Sequence, residues 1–292
     1  MGFQVWHALR LEAVNGLMRD QVIHTRVQWS FSDWVFAGIS AAMIIAFVVT
    51  VAIWAVDPRL IDGMSVWAKP LKFELALAVH AATLAIVASL LGPKVRAGVA
   101  MQWIARAFLL ACTIEMGWII FQAAQGQHSH FNESTAFHRA MFSVMAFAAV
   151  IITGAAAAVA WVAWRDPDFA AGKTLKTAIL LGLIGGTILT LVTAFTIGAK
   201  GSPYVGEVPL PTSRMMFTGW SLIAGDLRVS HFLATHMMQA VPLAAVMAVS
   251  ARIGPRDRDV VLGFAAFWTI WTLIEFSLAL SGKPAIFLLL HS

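Results

Sequence analysis

Seven long apolar blocks determine what this chain can fold into. Each block runs for about 20 residues, the length that an α-helix needs to cross the hydrocarbon core of a bilayer. The blocks cover about residues 34–56, 71–91, 103–123, 139–164, 177–198, 229–250 and 260–282. Because 60% of the residues are apolar and only 12% are charged, the sequence predicts an all-α integral membrane protein with seven transmembrane helices.

The residues before the first block follow a different pattern. Trp6, Leu9, Ala13 and Leu17 recur every three to four positions among charged side chains, as on the apolar face of an amphipathic helix. We expect residues 1–33 to form an interfacial segment on the membrane surface and residues 34–292 to form a single transmembrane domain.

Charge and cysteine content exclude several classes of protein. The net charge of +5 comes mainly from basic residues in short loops, and no soluble basic domain is present that would bind nucleic acid. Cys112 is the only cysteine, so neither an internal disulfide nor a cysteine metal cluster is expected. The 20 Lys and Arg residues divide 12 to 8 between the two sides. This division predicts an inside N-terminus and an outside C-terminus, in what we expect to be the cytoplasmic membrane of a bacterium.

An internal repeat organises the apolar blocks. The sixteen residues from Ser65 to His80 align with those from Ser221 to His236, with six identities and with Lys72 opposite Arg228. Both copies end on a histidine, a residue that apolar spans seldom contain. The repeat predicts two parallel three-helix halves, spans 1–3 and 5–7, joined by span 4 as a linker.

Four ionisable side chains are expected at similar depth in the two halves. By helical rise, His80 and His236 lie ~15 Å below the outer ends of their spans, and Glu115 and Glu275 lie ~9 to 14 Å below theirs. An isolated charge at that depth costs at least ~2.5 to 3.5 kcal/mol, so these groups need partners. Alternatively, each carboxyl is neutral and hydrogen-bonded, and each histidine is a packing residue.

A metal centre is the first prediction from this quartet. One form is haem b, with His80 and His236 as axial ligands and with Lys72 and Arg228 near the propionates. The other is a non-haem iron, zinc or manganese ion bound by His80, His236, Glu115 and Glu275. The metal ligands and cofactor contacts predicted here are His80, His236, Glu115, Glu275, Lys72, Arg228 and His138, with Glu115 and Glu275 also as catalytic proton carriers.

Function is predicted only by class. The metal centre would support redox or metal-assisted chemistry on a small or membrane-soluble substrate, as in a membrane oxidoreductase. The alternative is a proton-coupled transporter that uses the buried Glu and His pairs without a metal, and a third possibility is a structural or assembly subunit. The roles of His128, His130 and His231 and the oligomeric state are left open, and a lipid bilayer is the expected surrounding.

Overall fold

The computed structural model describes residues 29–215 and 218–289, and seven helices in these ranges are long and apolar enough to cross a membrane. These spans are α1 Phe31–Val56, α2 Ala68–Ser89, α4 Val99–Ala124, α5 Ala136–Arg165, α6 Lys173–Leu180 continuing into α7 Gly186–Lys200, α8 Leu227–Ser250 and α9 Asp257–Leu280. Two short helices, α3 Pro93–Arg96 and α10 Ile286–Leu289, complete the set. The predicted all-α, multi-pass architecture is confirmed. The predicted surface helix falls mostly on residues 1–28, which lie outside the described residues.

Local capping fixes where several spans begin. Ser30 and Asp33 form a capping box at the start of α1, with the Ser30 amide donating to Asp33 Oδ2 at 2.7 Å. Thr135 caps α5 by accepting from the His138 amide, and Asp226 caps α8 by accepting from the amide of the second helical residue. Each cap satisfies an amide that would otherwise lack a partner at the end of a span.

The helices pack as two groups of three with α5 between them. Helices α1, α2 and α4 contact one another, the α6–α7 span, α8 and α9 contact one another, and α5 contacts members of both groups. This packing agrees with the predicted pair of three-helix halves around a linker. Small side chains let the helices approach closely, and Ala81, Ala105, Ala156, Ala178 and Ala245 are completely buried.

The fifth span is interrupted where it meets a proline. Residues Leu181–Gly185 form one π-helical turn between α6 and α7, and Pro242 lies inside the facing helix α8. A Cβ added at Gly182 would lie 2.7 Å from Pro242 Cδ, so only glycine permits this approach. π-turns and internal prolines both weaken the regular helical hydrogen bonding, and here they face each other across one interface.

The two ends of the bundle differ in their connections. One end, here the long-loop end, carries residues 57–67, 125–135, 201–226 and 281–285, and the opposite, short-loop end carries residues 90–98, 166–172 and 251–256. At the long-loop end, Leu60–Ile61 (β1) pairs with Met64–Ser65 (β2), and Tyr204–Val205 (β3) pairs with Gly225–Asp226 (β4), both antiparallel. The long-loop end is the one predicted to face outward.

Candidate functional site

The two histidines predicted as metal ligands lie on helices that touch. His80 is buried on α2, with Nε2 3.1 Å from the Ile152 carbonyl oxygen of α5. His236 is half-buried on α8, and its ring centroid is 4.2 Å from that of Phe232. One turn beyond each histidine, Gln239 Nε2 donates to Thr83 Oγ1 at 3.2 Å. The two copies of the repeat therefore meet at matched positions.

The two predicted acids have separate partners. Glu275 on α9 accepts from Trp271 Nε1 at 3.2 Å and from the Ile286 amide at 3.3 Å. Glu115 on α4 contacts a histidine of the neighbouring connection, described below. Within residues 29–215 and 218–289, no three His, Cys, Asp or Glu side chains are grouped so as to hold a metal ion. The metal or haem centre at His80 and His236 stays a prediction.

The connection between α4 and α5 folds back along α4. The His128 carbonyl accepts from Gln122 Nε2 at 3.0 Å, and the next carbonyl, of Ser129, accepts from Trp118 Nε1 at 3.0 Å. Trp118 is one turn deeper in the helix than Gln122. Within residues 125–135, here the re-entrant loop, Ser129 and His130 therefore lie against α4, whereas most of the other loop residues are exposed.

This descent brings His130 to Glu115. His130 Nε2 lies 3.4 Å from Glu115 Oε1, and the Glu115 side chain is only 1% exposed. By helical rise, Glu115 is ~14 Å below Ala124, the last residue of α4. The Ser129 carbonyl meets Trp118, which is ~9 Å below Ala124 by the same rise. Irregular backbone inside a membrane is tolerated only where protein surrounds it or where it lines a cavity. Neither Glu115 oxygen has a hydrogen-bond partner by strict geometry among the described residues, and the ion-pair contact with His130 is the one that brings a titratable group within 4 Å of it there.

Two aromatic rings and a lysine lie near the Glu115–His130 pair. The His130 ring lies 6.0 Å from that of Phe73 and 6.1 Å from that of Phe142. Lys69, in the first turn of α2, places Nζ 5.7 Å from the Phe73 ring centroid. Burial lowers the pKa of His130, the positive charge of Lys69 lowers it further, and Glu115 raises it by a smaller amount. At pH 6.5, which is the ordinary pKa of histidine, most of the His130 rings are therefore neutral.

No family model, curated relative or solved structure matches this chain.

The Glu115–His130 pair has the chemistry of a proton-exchange site. The His130 ring has Nε2 toward Glu115 and Nδ1 3.2 Å from Ser129 Oγ. A neutral imidazole takes a proton on one ring nitrogen and releases it from the other. A buried carboxylate at contact distance can accept that proton and return it to the ring.

Lys72 and Arg228, predicted to hold anionic groups, both donate to one loop. Lys72 Nζ donates to the Thr218 carbonyl at 2.9 Å, and Arg228 Nη2 donates to the next carbonyl, of Gly219, at 2.8 Å. Arg228 also pairs with Asp226 at 2.6 Å. These two residues occupy matched positions in the repeat, so each half contributes one cation to the 201–226 connection.

The other histidines that the structure describes each contact a polar side chain. His138 is bound at the start of α5 by Thr135 Oγ1, 2.7 Å from its Nδ1. His231 Nδ1 lies 2.9 Å from Thr193 Oγ1, which joins α8 to α7. The distance from His128 Nε2 to an Asp62 oxygen is 3.5 Å, and more than half of the His128 side chain is exposed.

A third intramembrane acid was missed by the sequence reasoning. Glu74 on α2 is completely buried, and Thr50 Oγ1 of α1 donates to its Oε1 at 2.7 Å. Its Oε2 has no partner among the described residues. The repeat does not mark Glu74, because the matched residue, Ser230, is not ionisable. The presence of an acid inside an apolar span was itself a sufficient signal.

Proposed function

We propose that this protein is a proton-coupled membrane transporter in which Glu115 and His130 exchange the coupling proton. The observation that carries the proposal is the re-entrant loop, which places an imidazole 3.4 Å from a carboxyl that is 1% exposed. Intramembrane acids paired with a histidine are typical of proton relays in pumps and carriers.

The route of the proton follows from the position of His130. The imidazole lies between Ser129 Oγ and Glu115 Oε1. A proton that arrives at Nδ1 from the long-loop end gives an imidazolium ion, and release of the Nε2 proton to the Glu115 carboxylate leaves a neutral ring with its proton on Nδ1. The same two steps in reverse return the proton to the long-loop end and restore the first tautomer. Lys69 limits the lifetime of a doubly protonated imidazole because it adds a second positive charge nearby.

The helix interruptions supply a place for movement. The π-turn at Leu181–Gly185 faces Pro242 of α8, and π-turns and prolines are recognised causes of helix bending. Two three-helix halves that bend or rock against each other are a common basis of alternating access. The interruption lies within the second half, whereas the proton site lies in the first half and the re-entrant loop.

Transport currents from proteoliposomes on a solid support test this function. Concentration jumps of small amines, amino acids, carboxylates and sugars would be applied at pH 6, 7 and 8. We expect one solute class to produce a current whose size depends on pH, and we expect Glu115→Gln and His130→Gln to lose that dependence. The matched control is Glu133→Gln, which removes an exposed acid from the same loop and should behave like the wild type.

Two results would contradict the proposal. One is that the Glu115→Gln variant gives a solute-driven current with the same pH dependence as the wild type. The other is the absence of any solute-driven current from wild-type protein that is folded by circular dichroism.

A second candidate is the haem or non-haem metal centre, with His80 and His236 as ligands. The observation that favours it is the contact between α2 and α8 at Thr83 and Gln239, one turn from both histidines. An absorption spectrum and elemental analysis of purified protein test it. His80→Ala and His236→Ala should each abolish the bound cofactor, and a colourless, metal-free wild type would eliminate this candidate.

We further propose that the short-loop end faces the cytoplasm of a bacterium, with the N-terminus inside. The 12 to 8 division of Lys and Arg supports this orientation. Asp168 is exposed at the short-loop end, and Glu133 is exposed at the long-loop end. Cysteines introduced at these two positions can be labelled in intact cells with a maleimide that does not cross the membrane. We expect the maleimide to label Glu133→Cys and not Asp168→Cys. Labelling of Asp168→Cys alone would show that the orientation is the opposite of the one proposed.

A further inference from the structure

A buried acid without a partner cation lies between α1 and α2. Glu74 of α2 is completely buried, and Thr50 Oγ1 of α1 donates to its Oε1 at 2.7 Å. Within residues 29–215 and 218–289, no Lys, Arg or His side chain forms an ion pair with Glu74, and its Oε2 has no hydrogen-bond partner. Among those residues, an ionised Glu74 would be stabilised by a single hydroxyl group.

These surroundings favour a protonated carboxyl. Burial of a carboxylate without a partner charge is so unfavourable that the group takes up a proton instead. The Thr50 hydroxyl is compatible with this form, because the carbonyl oxygen of a protonated carboxyl still accepts a hydrogen bond. We propose that Glu74 is a second proton-binding site of this protein and that it holds a proton while α1 is packed against α2.

This site is separate from the Glu115–His130 pair. Phe73 precedes Glu74 in α2, and its ring centroid lies 6.0 Å from that of His130. Successive residues of an α-helix point about 100° apart, so Phe73 is directed to the re-entrant loop and Glu74 to α1. By helical rise, Glu74 lies ~9 Å below Ala68, the first residue of α2. The first half would therefore hold one proton on each of two faces of α2.

The part of α1 that covers Glu74 buries few side chains. Thr50 is the only buried residue of α1 after Ile39. Segments with few buried side chains open locally at a low cost in free energy. Displacement of this part of α1 would break the hydrogen bond from Thr50 and uncover the carboxyl, which gives the proton a way to leave.

A role in packing alone does not account for this pair. The O–H of a protonated Glu74 has no acceptor among the described residues, and an unpaired buried polar group lowers stability. Replacement of both partners of a buried hydrogen bond by apolar groups of similar shape is close to neutral or stabilising. The double variant Thr50→Val, Glu74→Met should therefore keep or raise the melting temperature. A clear fall would show that the pair is structural.

Infrared difference spectroscopy of the full-length protein in lipid vesicles tests the proton directly. Subtraction of the Glu74→Gln spectrum from the wild-type spectrum at pH 8 should leave the carbonyl band of one protonated carboxyl. The double variant serves for the same subtraction if Glu74→Gln folds poorly. The matched control is Glu133→Gln, which removes an exposed acid and should leave only carboxylate bands. Carboxylate bands for Glu74 as well would overturn the proposal.

A coupling role for this proton rests on the proposed transport function, but its binding does not. Glu74→Gln should change the pH dependence of the solute-driven current, and an unchanged dependence would refute the coupling role. A protonated Glu74 in a protein without solute-driven current would refute the transport function and leave the proton site intact. A proton-coupled current together with an ionised Glu74 would refute the proton site alone.

Discussion

Replacing Glu115 by glutamine should lower the pKa of His130. The carboxylate raises that pKa, against the larger lowering effects of burial and of Lys69. At the observed 3.4 Å, the attraction between the two charges is about 1 kcal/mol at the dielectric constant of water and about 5 kcal/mol at an effective value of ~20. Because 18% of the His130 side chain is exposed, we expect the protonation constant to fall roughly tenfold or more.

The measurement is a histidine carbon NMR titration in detergent between pH 4 and 9. The His130 resonance is assigned by its loss in His130→Gln. Lys69→Met should move the pKa in the opposite direction, upward, because it removes a positive charge. Glu133→Gln, which removes an exposed acid from the same loop, should leave the pKa of His130 nearly unchanged.

One result would refute the reasoning. If Glu115→Gln leaves the pKa of His130 unchanged or raises it, while the helical content matches the wild type, the carboxyl does not interact with the imidazole as a charge. The re-entrant loop would then be a packing feature, and the proton-exchange site would have no electrostatic basis.

Three further predictions concern stability. Gly182→Ala should lower the free energy of unfolding by about 1 to 3 kcal/mol, because the added Cβ would overlap Pro242, and this loss should appear as a lower melting temperature. The control is Gly154→Ala, where the added Cβ meets open space, and it should not lower the melting temperature. Trp118→Phe removes the hydrogen bond to the Ser129 carbonyl and should cost about 1 to 3 kcal/mol, seen as faster amide exchange in the re-entrant loop. Because the pKa of His130 is lowered in the folded protein, the folded state keeps its full stability above pH 6.5, the ordinary pKa of histidine. This stability is lost as the pH falls from 6.5 through the lowered pKa. His130→Gln should therefore flatten a plot of melting temperature against pH below 6.5.

The spans were predictable because length and hydropathy alone define them. The first predicted span, 34–56, corresponds to α1 Phe31–Val56, and the sixth, 229–250, corresponds to α8 Leu227–Ser250. The extra residues at the starts of these helices come from caps such as Ser30 and Asp226. Capping residues are polar, so a count of apolar residues leaves them outside the span.

The candidate site was less predictable because helical rise gives depth and not direction. It placed Glu115 and Glu275 at similar depth, but only packing decides which neighbour each carboxyl meets. Glu115 meets His130, whose approach depends on hydrogen bonds from Gln122 and Trp118 to backbone carbonyls. No pattern in residues 125–135 shows that this polar loop enters the bundle.

The 201–226 connection is held by both halves of the protein, through Lys72 at Thr218 and Arg228 at Gly219. Separating the halves at that end would break a charge-assisted hydrogen bond from each. The opposite end is tied in a similar way, because Asp166 accepts from the Gly92 amide of the first half and from Lys176 Nζ of the second half. Relative motion of the halves would therefore have to break a tie, or carry one along, at both ends of the bundle.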